Sequence, residues 1–145
     1  MIRAVSRSPS GWLIPDDPSA SRDARVRLLA CGVDWDALRT PEALALPVLA
    51  RLLSHAGDCA LLGPVLRDER SCTVHWIIAP DHTATYPDGC LLRTAGDWLA
   101  VPNPINPHSK LAWLHMPVQP TFTPPWLASS LADRLAATDP HLGTP

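Results

Sequence analysis

Three segments of the chain repeat one spacing: Trp76-Ile-Ile-Ala-Pro80, Trp98-Leu-Ala-Val-Pro102 and Trp113-Leu-His-Met-Pro117. Each opens on tryptophan and closes on proline four residues later. Aromatic and β-branched residues suit a pleated, half-buried surface. Proline has no N–H to give to a ladder, so it ends strand pairing. The spacing predicts three strands, stopped by Pro80, Pro102 and Pro117. Residues two apart share a face in a strand. Trp76 with Ile78, Trp98 with Ala100 and Trp113 with His115 then look one way, and Ile77/Ala79, Leu99/Val101 and Leu114/Met116 the other. Both sets are largely apolar, so the sheet is expected to be covered on both sides. Trp76, Trp98 and Trp113 are expected near one another as structural core; the alternative is an aromatic platform on which a base or sugar stacks.

The rest of the chain supplies helices and further strands. Ser19 or Ser21 can cap a helix carrying Val26, Leu28, Leu29 and Cys31, with Gly32 as its stop. Val33 to Arg39 alternates and reads as a short strand. Thr40 before Pro41 reads as a cap and first residue of a helix to about His55, with Leu44, Val48, Leu49 and Leu52 on one face. Pro47 should kink that helix or delay its start, and Gly57 ends it. Ala60 to Leu66, interrupted by Gly63-Pro64, reads as an edge strand or bulge. Cys72 to Ala79 is the strongest strand. Cys90–Arg93 and Trp98–Val101 read as a hairpin turned at Gly96. Lys110 to Met116 is a last strand, and Leu127, Leu131 and Leu135 mark a final helix over 125–138. The expected fold is α+β: a mixed, mainly antiparallel sheet of five to six strands with two to three helices and a β-α-β-β, RRM-like start. Residues 1–18 read as an irregular lead-in, 19–140 as one domain and 141–145 as a tail.

At 145 residues the chain fits one core. Its net charge of −2 gives no general attraction to nucleic acid. No window approaches the roughly 18 apolar residues of a membrane span, and Met1 to Ser10 lacks the apolar run of a secretion signal. The four cysteines are far apart and without a CxxC pair, so free thiols and a cytoplasmic setting are expected.

Few motifs carry chemistry. Asp34 and Asp36, two apart in the predicted strand, would point the same way and could share Mg²⁺ or Mn²⁺; the other reading is a solvated strand face, or Asp36 bonded to backbone near Thr40. Cys72-x-x-His75 has a ligand-like gap, with His82 and Cys90 following. Residues three apart in a strand face opposite sides, however, and no tight ligand pair recurs. His55 and Cys59 are separated by Gly57. There is no G-x-S-x-G, no G-x-G-x-x-G and no phosphate-cradling G-x-x-x-x-G-K-[ST].

Gly32 to Pro41 (GVDWDALRTP), Val48 to Leu53 (VLARLL), Gly63 to Leu66 (GPVL), His75 to Pro80 (HWIIAP) and Gly96 to Pro102 (GDWLAVP) together resemble a group of small actinomycete proteins similar to the N-terminal domain of bifunctional DNA primase/polymerases. The resemblance spans about residues 25–120. It implies an RRM-like half, a D-x-D pair at Asp34 and Asp36, and a nucleotide-contacting histidine at His75. A third metal-binding carboxylate could come only from Asp81 or Asp97, and basic residues for a template are few, so the resemblance implies a degenerate relative.

The first expected function is a non-enzymatic accessory or regulatory protein acting through contacts with another protein, without a cofactor, with the Pro-rich segments 102–109 and 117–125 able to dock a partner. One alternative is a degenerate primase/polymerase-like nucleotide or nucleic-acid binder with a divalent metal at Asp34 and Asp36. Another is a small-molecule binder with a Trp-lined pocket.

Overall fold

A computed structural model describes residues 12–14, 23–80 and 84–138. The remainder of the lead-in over 1–18, the cap positions Ser19 and Ser21, Asp81, His82 and the tail over 141–145 lie outside the described residues. The fold is α+β: seven strands in two antiparallel sheets, and three helices.

The elements are β1 (Val26–Ala30), β2 (Asp36–Pro41), α1 (Glu42–Leu53), α2 (Ala56–Leu61), β3 (Val65–Asp68), β4 (Thr73–Ile78), β5 (Leu91–Arg93), β6 (Trp98–Pro102), β7 (Leu111–His115) and α3 (Pro125–Thr138). The main sheet runs β5-β2-β4-β3-β7, and β1 pairs with β6 in a separate two-stranded ribbon. A single parallel bridge, Ile78 to Thr123, ties the extended 117–125 segment to the end of β4.

β4 lies in the centre and is buried along its whole length. Its two phases feed two cores. Val74, Trp76 and Ile78 join Leu38, Val65 and Leu114 under α1 and α3. Ile77 joins Ala37, Leu66 and Trp113 beneath the ribbon residues Leu29, Leu99 and Val101, with Leu13, Ile14 and Trp35 closing that side. The sheet is thus covered on both faces, by helices on one and by the ribbon on the other.

Trp76, Trp98 and Trp113 do not come together. Trp76 is fully buried on the helix side, in phase with Val74 and Ile78. Trp113 pairs opposite Leu66 and faces the ribbon side. Trp98 belongs to the ribbon and is 57% exposed. The shared spacing sets where each strand stops, but neighbouring strands meet it in different phase.

The segment ending at Gly32 is a strand, not the expected helix. Arg27, Leu29 and Cys31 alternate with the outward Val26, Leu28 and Ala30, and β6 supplies a partner for the whole length. The expected hairpin over 90–101 is also corrected. Gly96 does make the turn, at φ +93°, and Asp97 N–H donates to Thr94 O. The strands on either side then part, β5 to β2 and β6 to β1. Thr40 does not cap α1: it remains in β2, its hydroxyl donating to Val74 O, and Pro41 takes the cap position without a side-chain bond. The helix ends at Leu53, and Gly57 falls inside α2 rather than after α1. The expected 60–66 strand is shifted to β3, because 60 and 61 complete α2. The expected β-α-β-β start is corrected to β-β-α, because β1 precedes β2 and α1, and α2 intervenes before β3 and β4.

Candidate functional site

Cross-strand partners share a face of the sheet. Arg39 pairs with His75 of β4 and with Leu91 of β5, and Ala37 pairs with Arg93. On β3, Leu66 pairs with His75 and Asp68 with Thr73. Arg39, Arg93, Thr73, His75 and Asp68 therefore all stand on the ribbon side of the sheet. The ribbon covers Ala37, Leu66 and Ile77 there but stops short of the other end. A cleft of about 260 Å³ is left, walled by Arg39, Arg93, Arg70, Asp68, Ser71 and His75 on the sheet side and by Leu28, Trp98, Leu99 and Ala100 of the ribbon.

The apolar rim is unusual. In the ribbon Leu28 pairs with Ala100 and Ala30 with Trp98, so Leu28 and Trp98 are diagonal neighbours on the face turned away from Leu29 and Leu99. Leu28 is 62% exposed and Trp98 57%.

The three arginines differ. Arg70 Nε and Nη2 donate to the two oxygens of Asp68, each at 3.0 Å, and the Arg70 backbone N–H donates to the same carboxylate. Burial by itself would raise the Asp68 carboxyl, but these bonds outweigh it and hold the group below its ordinary value. That charge pair is closed. Arg39 and Arg93 form no ion pair with a described residue, and Arg93 Nε is buried without a hydrogen-bond partner.

His75 is 6% exposed. Burial is the main reason its pKa falls to about 4, and the nearby Arg93, Arg39 and Arg70 add to the fall against the opposing pull of Asp68. It is neutral at pH 7. Its Nε2 lies 3.2 Å from Thr73 Oγ1, which lies 2.7 Å from Ser71 Oγ. In either tautomer Nδ1 is left buried and without a partner. An unmet buried polar group costs on the order of 1–3 kcal/mol, and two such groups, on His75 and Arg93, line this one cleft.

The expected metal pair is not formed. Asp34 is exposed in the bend before β2. Asp36 is the first residue of β2 and 5% exposed. It pairs with Ile78 and shares the Leu38/Thr40 phase, which is the helix side. His75 faces the ribbon side, so Asp36 and His75 stand on opposite sides of the sheet. The residues present do not fit a shared Mg²⁺ or Mn²⁺. Among the described residues no three His, Cys, Asp or Glu side chains gather as a metal site. Cys72 is exposed in the turn before β4, at φ +55°, whereas His75 is buried within the strand.

Three groups able to move protons or attack carbon are held back in or near the cleft. The Cys31 thiol is raised to about 11, by burial first and by Asp97 second. Asp68 is held by Arg70, and His75 has one nitrogen bonded and the other shut from solvent. What the cleft offers is two guanidiniums without an ion pair among the described residues, beside an exposed indole.

Sequence reasoning named His75 as a nucleotide contact and Trp98 as structural core, and did not single out Arg39, Arg70, Arg93 or Leu28 as site residues. Arg93 did leave a signal, as the charge that closes the apolar pair Leu91-Leu92, whereas Arg39 shares β2 with the polar Asp36 and Thr40. Among the described residues no helix is long and apolar enough to cross a membrane. No family model, curated protein or solved structure matches the chain.

Proposed function

We propose that this protein is a non-enzymatic accessory protein that works by holding another protein at the cleft beside Trp98. The observation that supports this best is the rim itself. Leu28 and Trp98 stand side by side, more than half exposed, and run into two arginines that form no ion pair with any described carboxylate. Tryptophan and arginine are the residue types that most often carry interface energy. The cleft is small beside the roughly 300–1,000 Å³ of pockets that enclose a whole small molecule. It suits side chains of a larger partner better than a complete ligand.

The resemblance to primase/polymerase N-terminal domains stands beside this as a proposal about descent. Its motifs fall on β2, α1, β3, β4 and β6. Nucleotide chemistry at Asp34, Asp36 and His75 gains no support from their placement.

The test is a photo-reactive side chain introduced in place of Leu28 and, separately, in place of Trp126, which is also exposed but lies on α3. The expected result in native cells is a discrete protein adduct from position 28, lost when Trp98→Ser is added, and no equivalent from position 126. No adduct from position 28, or the same adduct from both positions, overturns the reading.

A further inference from the structure

We infer that the partner presents an extended acidic segment, with two carboxylates separated by one residue that meet Arg39 and Arg93 and an apolar side chain that lies on Trp98 and Leu28. This rests on the reading of the cleft as a protein contact.

Charge carries the first step. The chain is net negative, yet three of its arginines meet at one small cleft. Arg70 is cancelled by Asp68. His75 adds no charge at neutral pH. Among the described residues two positive charges are left, and Arg93 is already partly stripped of water at Nε. A desolvated cation gains most from an anion that also leaves water, and arginine matches carboxylates through paired N–H bonds.

Spacing carries the second step. Arg39 pairs with Leu91, and Arg93 with Ala37, so the two arginines are diagonal neighbours on adjacent strands. Such positions are roughly 7–8 Å apart. An extended chain rises about 3.3 Å per residue, and side chains two apart point the same way. Two carboxylates separated by one residue are therefore about 6.6 Å apart on one edge, a close match to the arginine pair.

The rim carries the third step. Leu28 and Trp98 are continuous with the arginines across the cleft mouth. They can take an aliphatic or aromatic side chain of the same segment, and an aromatic contact of this kind supplies both area and orientation. A nucleic-acid strand would need a longer run of cations than two free arginines, and the chain holds a single lysine, Lys110.

The experiment is fluorescence anisotropy with the full chain and three probes: a labelled peptide alternating glutamate and leucine, its glutamine counterpart, and a single-stranded oligothymidine. The proteins are wild type, the Arg39→Gln/Arg93→Gln double variant and Trp98→Ser, each checked by its melting curve. The expected result is a preference of about tenfold or more for the glutamate peptide over the glutamine one. That preference should disappear in the double variant. It should also weaken between about 0.01 M and about 0.15 M salt, where the screening length falls from about 30 to about 8 Å. Equal binding of the glutamine peptide, a preference retained by the double variant, no binding at millimolar peptide, or tighter binding of oligothymidine overturns the inference. If the position-28 adduct persists in any of these cases, the contact at the cleft stands and only the acidic partner falls. If the adduct is also absent, both fall.

Discussion

The indole N–H of Trp76 donates to Thr40 Oγ1 at 2.9 Å, and the Thr40 hydroxyl donates in turn to Val74 O at 2.9 Å. Both residues are fully buried. The pair locks β2 to β4 through side chains as well as through the ladder. It also explains why a threonine survives on the apolar helix side of the sheet: it satisfies an indole that could find no water there.

Thr40→Val tests this relationship. The shape is kept, but the indole N–H loses its acceptor inside the core. The expected cost is about 1–3 kcal/mol. Thr40→Ser keeps the hydroxyl and should cost less. Urea unfolding separates the two: the valine variant should lower the midpoint with the slope unchanged. A valine variant as stable as wild type would show that the bond contributes nothing.

Two glycines should respond in opposite directions to alanine. Gly32 has φ +81°, and a Cβ there would lie 2.1 Å from Ala95 N and 2.4 Å from Ala95 Cα. The turn at 94–97 is pressed against it, and Arg93 and Trp98 flank that turn. The left-handed conformation alone costs about 1–2 kcal/mol for an alanine, and the backbone collision adds to it. Gly32→Ala should therefore lower the melting temperature strongly and disturb the cleft as well. Gly57 lies in α2 with no neighbouring atom within 4 Å of a new Cβ. Gly57→Ala should stabilise by about 0.4–1 kcal/mol. Thermal unfolding of both variants checks the contrast.

His75 makes stability depend on mild acid. Its pKa is about 4 in the folded chain against an ordinary 6.5, chiefly through burial. Between these values the unfolded chain binds a proton that the folded chain refuses. Stability from this group is complete above about pH 6.5 and is lost as the pH falls toward 4, by on the order of 3 kcal/mol in all. His115 is shifted the same way, by burial against an opposing bond to Leu62 O, so a second site also loses stability as the pH falls below the ordinary histidine value. His75→Gln should flatten the pH dependence between pH 7 and 4 without removing it. Denaturant midpoints at several pH values decide this, and a variant with the wild-type slope would refute it.

Much of the fold can be read from local pattern. β4 and β7 follow from the Trp-to-Pro spacing, and α3 from Leu127, Leu131 and Leu135. The expected proximity of Trp76 and Trp113 fails, because phase between strands depends on register, and a bulge at Val65/Leu66 shifts it and puts the two rings on opposite sides of the sheet. β1 was illegible for a more informative reason. Leu28 is apolar but faces solvent, so Val26, Leu28, Leu29 and Cys31 imitate a helical stripe. The residue that blurs the pattern is one that lines the candidate site, as expected where a local rule is broken for function. The cleft itself draws on six strands and a turn, β1, β2, β3, β4, β5, β6 and Arg70, which no short motif spans. The Asp34-x-Asp36 pair looked like chemistry only under a strand that began at Val33. With β2 starting at Asp36, one carboxylate is in a bend and the other in the core.

Trp98 and Trp113 carry the same Trp-to-Pro motif and should behave in opposite ways. Trp113 is 3% exposed and packed with Leu66 and Ile77. Replacing it with alanine removes a large buried ring, and the expected loss is about 3–5 kcal/mol. Trp98 is 57% exposed, so Trp98→Ser should change stability by no more than about 0.5 kcal/mol. If the ring were only a structural member of the ribbon, its loss would loosen the β1–β6 pairing, and the melting temperature would fall with the serine variant. Unchanged stability together with loss of the position-28 adduct would assign the ring to contact rather than to folding. Equal destabilisation by the two substitutions would return Trp98 to the core and remove the main support for the cleft as a docking site.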